Sequence, residues 1–351
     1  MTAEELAILV DGGELIARTS LAGANFAGGS FIAANFETVD CSAADWRGAT
    51  LRQSNFIHCN LTDANLEGAD LRGTAFVECD LSGATFATAQ LEHVKFAKSR
   101  LANARFAETP LPHMAFVQCD LSNADLTGVQ VERSSILKCS TVGIDISGSD
   151  WHRAVFLDAD LREANISGAR FFRTSLIGAN FAGSLLSGFS LVACALNDAD
   201  FTGCDLNGAD LHQCMLIGAK FPGATLTGAK LARAVLTRSV LTQADLSRAD
   251  LSQAILIKAD ATEANFANAT LFQCTATGLN ASVANMRGAD LTNADLSHAN
   301  LERADLTDVI LDRTNFHSVA EEDARIPNRQ GLLPPDKDRT TSETWLEQLP
   351  S

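Results

Sequence analysis

The chain has no Tyr at all, and aromatic residues make up only 6% of its 351 positions, against 46% hydrophobic residues and 24 Gly. That length would ordinarily suggest two globular domains, but so few large rings are a poor supply for two conventional cores. Positive charge is also short. Lys and Arg number 27 against 43 Asp and Glu, a net charge of −16, which argues against a basic nucleic-acid clamp or a polybasic membrane binder. No apolar run reaches the roughly 18 residues needed to span a bilayer, and Met1-Thr2-Ala3-Glu4-Glu5 lacks the positive and apolar regions of a signal peptide. A soluble chain of the bacterial cytoplasm is the expectation. Catalytic motifs are missing too: there is no GxSxG, no phosphate-binding glycine loop and no HExxH. The expected protein is therefore not an enzyme and carries no cofactor or metal.

What is present is an internal repeat. From Leu21, Phe26, Phe31 and Phe36 to Leu301, Leu306, Leu311 and Phe316, a large apolar residue stands at nearly every fifth position, through 60 pentapeptides without insertion or deletion. Two places before each centre sits a small residue, 32 times Ala and 8 times Cys; one place before, about half are Asp or Asn. Period five fits neither the 3.6 of a helix nor the alternation of a strand, so each unit must turn with both its central and its small residue inside.

This Ala-Asp/Asn-Leu/Phe-x-x pattern over residues 21–316 resembles the pentapeptide-repeat family. The resemblance implies an all-β fold: a right-handed quadrilateral β-helix with four pentapeptides per coil, about 15 coils, roughly 70 Å long at the usual strand spacing. Four units per coil predict similar residues every 20 positions, and Phe36, Phe56, Phe76, Phe96 and Phe116, followed by Ile136 and Phe156, meet that prediction. Residues 1–15 are expected to form an N-terminal capping helix, with Thr2 and Glu5 at capping-box spacing and Asp11-Gly12-Gly13 ending it. Residues 16–319 form the β-helix, and 320–351 a flexible C-terminal tail. Val131 to Trp151, with Thr141 at a central and Ile144 at a small position, is the least regular stretch; a repacked coil is favoured there over a bend.

The register places eight of the nine Cys at small inward positions and Cys41 at a central one, where they replace Ala or Leu as core filler. Leu279, oversized for its small position, compensates for Ala276 and Ala281. The seven His fall on outward positions, with His93 and His113 as neighbours in adjacent coils.

Outside the core, one wall lacks charge. The residue after the centre in the Phe36 column reads Ile57, Val77, Val117, Leu137, Leu157, Ile177, Ile217 and Ile257, and the residue before it adds Val155, Met215, Val235 and Ile255. A stripe of this kind approaches about 500 Å², near the upper limit for a monomer. The expected function is a non-enzymatic protein-binding scaffold that uses this wall for a protein partner or a homodimer. An alternative is that the tail covers the wall, with Trp345 and Leu346 docking. The resemblance also implies two further alternatives. Some members confer fluoroquinolone resistance as DNA mimics that bind DNA gyrase, a type II topoisomerase, and others are accessory or effector proteins of bacterial secretion systems. About half of the acidity sits at the consensus Asp position, which weakens the mimicry reading; direct binding of nucleic acid or membrane is not expected.

Overall fold

The computed structural model describes residues 1–334. They fall into two compact units, residues 1–181 and 182–334, taken in turn.

The first unit opens with α1 (Ala3–Asp11). Thr2 caps it as the sequence predicts: the Glu5 N–H donates to Thr2 Oγ1 at 3.2 Å, and the Thr2 N–H donates to Glu5 Oε2 at 2.8 Å. Leu6 and Val10, one turn apart, are buried, whereas Ile8 faces solvent. An apolar face of this kind closes the first turn of the stack, which would otherwise expose its core.

Twelve short strands follow: β1 (Leu15–Ala17), β2 (Asn35–Glu37), β3 (Asn55–Ile57), β4 (Ala75–Val77), β5 (Lys95–Ala97), β6 (Leu111–Pro112), β7 (Ala115–Val117), β8 (Gln130–Glu132), β9 (Ser135–Leu137), β10 (Asp150–His152), β11 (Val155–Leu157) and β12 (Arg170–Phe172). All pairings are parallel and in register at a spacing of 20 residues, as in Phe36 with Phe56 and Phe56 with Phe76. The architecture is thus a parallel β-solenoid. Eight strands (β1, β2, β3, β4, β5, β7, β9, β11) stack in one sheet and four (β6, β8, β10, β12) in a second. The main sheet has eight strands, all within the first unit, one per 20-residue coil. The right-handed sense remains an expectation of the resemblance.

In the second unit the described residues contain no three-residue strand. Single-residue parallel bridges hold it instead, for example Leu185 to Asp205 to Thr225, and again at 20-residue spacing. The turns explain the contrast. Here most pentapeptides close a hydrogen bond such as Ala209 N–H to Leu206 C=O at 3.0 Å, which leaves one residue per unit for the ladder. On the strand-bearing side of the first unit that bond is missing, and three residues extend. The bridges run on to Ala320 and Arg325, and Gly331–Leu333 then bonds to Arg313 and Thr314.

The residue two places after nearly every centre has positive φ, whether it is Gly23 (+64°) or a residue with a side chain such as Asp63 (+56°). This is the left-handed position of a type II turn, which explains the frequent Gly, Asn and Asp there. Central and small residues are buried in both units with few exceptions, such as the half-buried Ala24, Cys139, Ala164 and Ser184. Phe36, Phe56, Phe76, Phe96 and Phe116 stack with centroids 4.5–5.1 Å apart, a spacing that suits offset aromatic contact. Ala276, Leu279 and Ala281 are each fully buried. The Val131–Trp151 stretch is an unbroken coil with repacked side chains: Thr141 is buried and donates to Asp160 C=O at 2.7 Å, and Trp151 Nε1 donates to Ser149 Oγ at 2.6 Å.

One outward assignment is corrected. His317 is buried and its neighbour Phe316 is half-buried. The exchange falls at the last rung of its column among the described residues, Asp295 to Asn315.

Candidate functional site

Strand alternation turns the centre of each three-residue strand inward and both flanking residues outward. On the eight-stranded sheet the flanking residues form the apolar wall. In the first unit, Ile57, Val155 and Ile177 are exposed, Ile57 by 39% and Ile177 by 36%, while Val77, Val117, Leu137 and Leu157 are half-buried against their neighbours in the ladder. Ile57 pairs with Val77, Val117 with Leu137 and Leu137 with Leu157. Ala97, between Val77 and Val117, breaks the bulk but not the register.

The second unit has its own part of the pattern. Met215, Val235 and Ile255 occupy successive bridges in one column, and Met215 is exposed. Ile217 and Ile257 lie one residue beyond the centre, half-buried, with Thr237 at the same position between them in sequence.

A polar margin borders the wall of the first unit. At the turn positions, Lys98 reaches Glu78 at 3.2 Å and His58 reaches the same carboxylate at 3.4 Å. An apolar centre with a charged rim is the usual anatomy of a protein-binding surface. Leu15, at the start of β1 and more exposed than Ile57, lies in the other outward column of this sheet, the one before the centre, paired with Asn35, one repeat ahead of Leu21. Ile16, on the five-residue register, was the available signal.

Trp345 and Leu346, the proposed docking residues of the tail, lie outside the described residues. Of the nearby leucines, Leu333 donates its N–H to Thr314 C=O at 2.9 Å and keeps its side chain exposed.

The acidity has a local structural role. The carboxylate one place before the centre accepts from the backbone N–H two residues on: Arg47 N–H to Asp45 at 3.1 Å, Ser82 N–H to Asp80 at 3.0 Å, Ser252 N–H to Asp250 at 2.9 Å. Asn performs the same task, as at Asn65 and Asn265, which accounts for the shared Asp/Asn consensus. Hydrogen bonds from the Arg47 side chain lower the Asp45 carboxyl, those from Ser42 lower Asp40, and those from Arg170 lower Asp150.

No cysteine forms a disulfide, and all are buried except the half-buried Cys139. Burial pushes Cys204 up to about 11 and Cys274 up to about 12, so neither is a thiolate at neutral pH. His93 and His113 are ring neighbours as expected, stacked at 5.2 Å. Among the described residues, no group of three or more His, Cys, Asp or Glu is placed to hold a metal, and no helix is long and apolar enough to cross a membrane.

The family model for pentapeptide repeats (8 copies) matches residues 34–73, 142–176, 174–213, 194–231, 219–256, 234–271 and 284–319, and that for a pentapeptide repeat region matches 74–146. No curated protein matches the sequence. Among solved structures, the chain is similar to QnrB1, a plasmid-mediated fluoroquinolone resistance protein (20% identity, 56% of this chain and 90% of that one, TM-score 0.43). It is also similar to HetL of the cyanobacterium Nostoc sp. strain PCC 7120, described as involved in heterocyst differentiation regulation (25%, 82% and 90%, TM-score 0.18). A third is the pentapeptide-repeat protein Rfr23 of the cyanobacterium Cyanothece 51142 (28%, 32% and 63%, TM-score 0.24). With its repeat models covering well over half of the sequence and its 20-residue parallel register, the chain belongs to the pentapeptide-repeat family.

Proposed function

We propose that this chain is a non-enzymatic protein-binding scaffold of the bacterial cytoplasm, and that the outward face of its eight-stranded sheet is the binding surface. The observation that carries the reading is the run of Ile57, Val77, Val117, Leu137, Leu157 and Ile177 at one outward position of the first unit, exposed or half-buried. β-branched residues suit a pleated sheet, but Leu137 and Leu157 gain nothing from that preference, and water contact at such a row is unfavourable until a partner covers it. Met215, Ile217, Val235, Ile255 and Ile257 extend the proposal to the second unit.

The occupant is a protein partner or a second copy of the chain. Leu157→Asp combined with Ile177→Asp places two charges on the wall without touching the core. Light scattering on the purified chain, and recovery of bound protein from cell extract, should both change. If mass and recovery match those of the unaltered chain, the wall is not an interface.

Mimicry of DNA toward gyrase is the weaker reading, because much of the negative charge is already engaged in capping backbone N–H groups. A supercoiling assay discriminates: inhibition or protection of gyrase at stoichiometric protein would replace the scaffold reading. A role beside a secretion system would use the same wall on a different partner.

A further inference from the structure

The four-stranded sheet of the first unit departs from the charge of the molecule as a whole. The chain carries −16 overall. Yet in five successive coils the left-handed turn position is held by His93, His113, Arg133, Arg153 and Arg173, with φ between 52° and 61°. Their 20-residue spacing sets them in one column, one coil apart, at about 4.8 Å per step.

Acidic partners offset this column only in part: His93 Nε2 lies 3.7 Å from Glu92. Arg133 and Arg153 share a single carboxylate, Glu132, at 3.4 and 3.5 Å, long for charge-assisted hydrogen bonds. Arg173 has no acidic partner among the described residues; its guanidinium lies over the Phe172 ring, 5.0 Å from the centroid. That ring is 38% exposed and stands 5.8 Å from the ring of His152. Arg170 belongs to a different set, held by both oxygens of Asp150 at 2.6 and 2.7 Å.

Beside the column runs an open groove of about 390 Å³ whose walls include Pro112, Gln130, Glu132, Asp150 and His152. These residues come from β6, β8 and β10, so the groove follows the stacking direction. It therefore suits a linear ligand laid across the coils.

We infer that this face binds a linear acidic glycan of uronate type, with carboxylates repeated along its length. Guanidinium groups at successive coils match carboxylates at successive sugars, each pair a charge-assisted contact. Gln130, Glu132 and Asp150 offer acceptors, and sugar hydroxyls are the donors that answer them. The exposed rings of Phe172 and His152 offer flat apolar surface to the C–H face of a sugar ring. A nucleic acid would bring dense phosphate charge against Glu132, Asp150 and a chain of strongly negative net charge. A polyglutamate peptide has no hydroxyls for the groove.

The test uses the full chain and a fluorescein-labelled oligogalacturonate long enough to cross several coils, read by fluorescence anisotropy at low ionic strength. Arg133→Asn, Arg153→Asn and Arg173→Asn are combined, because Asn accepts positive φ and removes the charge without backbone strain. Affinity should fall by about tenfold or more. Arg248→Asn, at the same kind of turn position in the second unit (φ 58°), should leave it unchanged, and Phe172→Ser, which alters no charge, should weaken it several-fold. Should the triple variant lose its circular dichroism spectrum, the pair Phe172→Ser and Arg173→Asn takes its place. The inference is overturned if the unaltered chain does not bind the oligosaccharide or if the folded variant binds as well as the original. Equally tight binding of polyglutamate or single-stranded DNA of the same charge also overturns it.

Discussion

The backbone N–H of Cys59 donates to Sγ of Cys79, one coil further on, at 3.4 Å. Cys119 and Cys139 repeat the arrangement at 3.3 Å, and Cys79 in turn donates to Ser99 Oγ at 3.1 Å. On this side of the first unit the turn hydrogen bond is absent, and a small side chain from the next coil satisfies the freed N–H. Cysteine here is more than core filler. Cys79→Ser should therefore be tolerated, whereas Cys79→Ala, which leaves the Cys59 N–H buried and unpaired, should cost about 1–3 kcal/mol. Urea unfolding of the two variants separates them, and equal stability would refute the role.

The same burial makes the thiols inert. With Cys204 up at about 11 and Cys274 at about 12, the native chain should react slowly with a thiol-specific chromogenic disulfide, Cys139 first. All nine should react at once in denaturant, because none is held in a disulfide. Rapid native labelling at several sites would contradict this.

Phe76 stacks on Phe56 and on Phe96, each at 5.0 Å, with no solvent exposure. Phe76→Ala opens a gap that coils on either side cannot fill without breaking strand register, so a loss of about 3–5 kcal/mol is expected. Hydrogen exchange should accelerate first in β3, β4 and β5, as nearest-neighbour coupling in a repeat stack requires. Uniform acceleration along the chain would count against that coupling.

Val283 occupies a left-handed turn position at φ +62° and is 40% exposed. A β-branched residue is strained there, and it buries little in return. Val283→Asn should stabilise the second unit by about 1 kcal/mol, measured as a higher urea midpoint at unchanged slope. A lower midpoint would show that the valine side chain makes a contact worth more than the strain.

Acid should loosen the stack. Asp40, Asp45, Asp150 and Asp305 are lowered in the folded chain, by hydrogen bonds from Ser42, Arg47, Arg170 and Thr307 respectively. Each therefore contributes stability that is fully present above the ordinary Asp value of about 3.9 and is lost as pH falls through the lower folded value. The melting temperature should stay level from neutral pH to about 5 and decline below about 4. A decline beginning above pH 6 would point to histidines instead.

Much of the architecture was legible in the residues. An unbroken period of five, with Phe36, Phe56 and Phe76 at 20-residue spacing, defines which side chains meet, because an in-register parallel stack repeats its contacts at the coil period. Thr2 and Glu5 announced the cap for an equally local reason. The apolar wall was visible as a column, since outward positions follow from the register once the inward ones are known.

Other features were not legible. Nothing in the pentapeptide pattern says that β2, β3 and β4 extend to three residues while the second unit keeps single bridges; that depends on whether a turn N–H finds its own carbonyl or a neighbouring coil's sulfur. The reversal of Phe316 and His317 breaks the alternation that the repeat period leads one to expect. The charged column of Arg133, Arg153 and Arg173 lay in plain sequence but acquired meaning only beside the groove and the exposed Phe172.

By itself, then, the sequence determined the repeat, the inward set and the consensus acid, because each is enforced every five or twenty residues by the same local turn. The tertiary structure alone decided which acids were spent on the backbone, which thiols served as acceptors and which walls stayed open. Those outcomes depend on distances between coils, and a repeat period specifies neighbours without specifying how closely they meet.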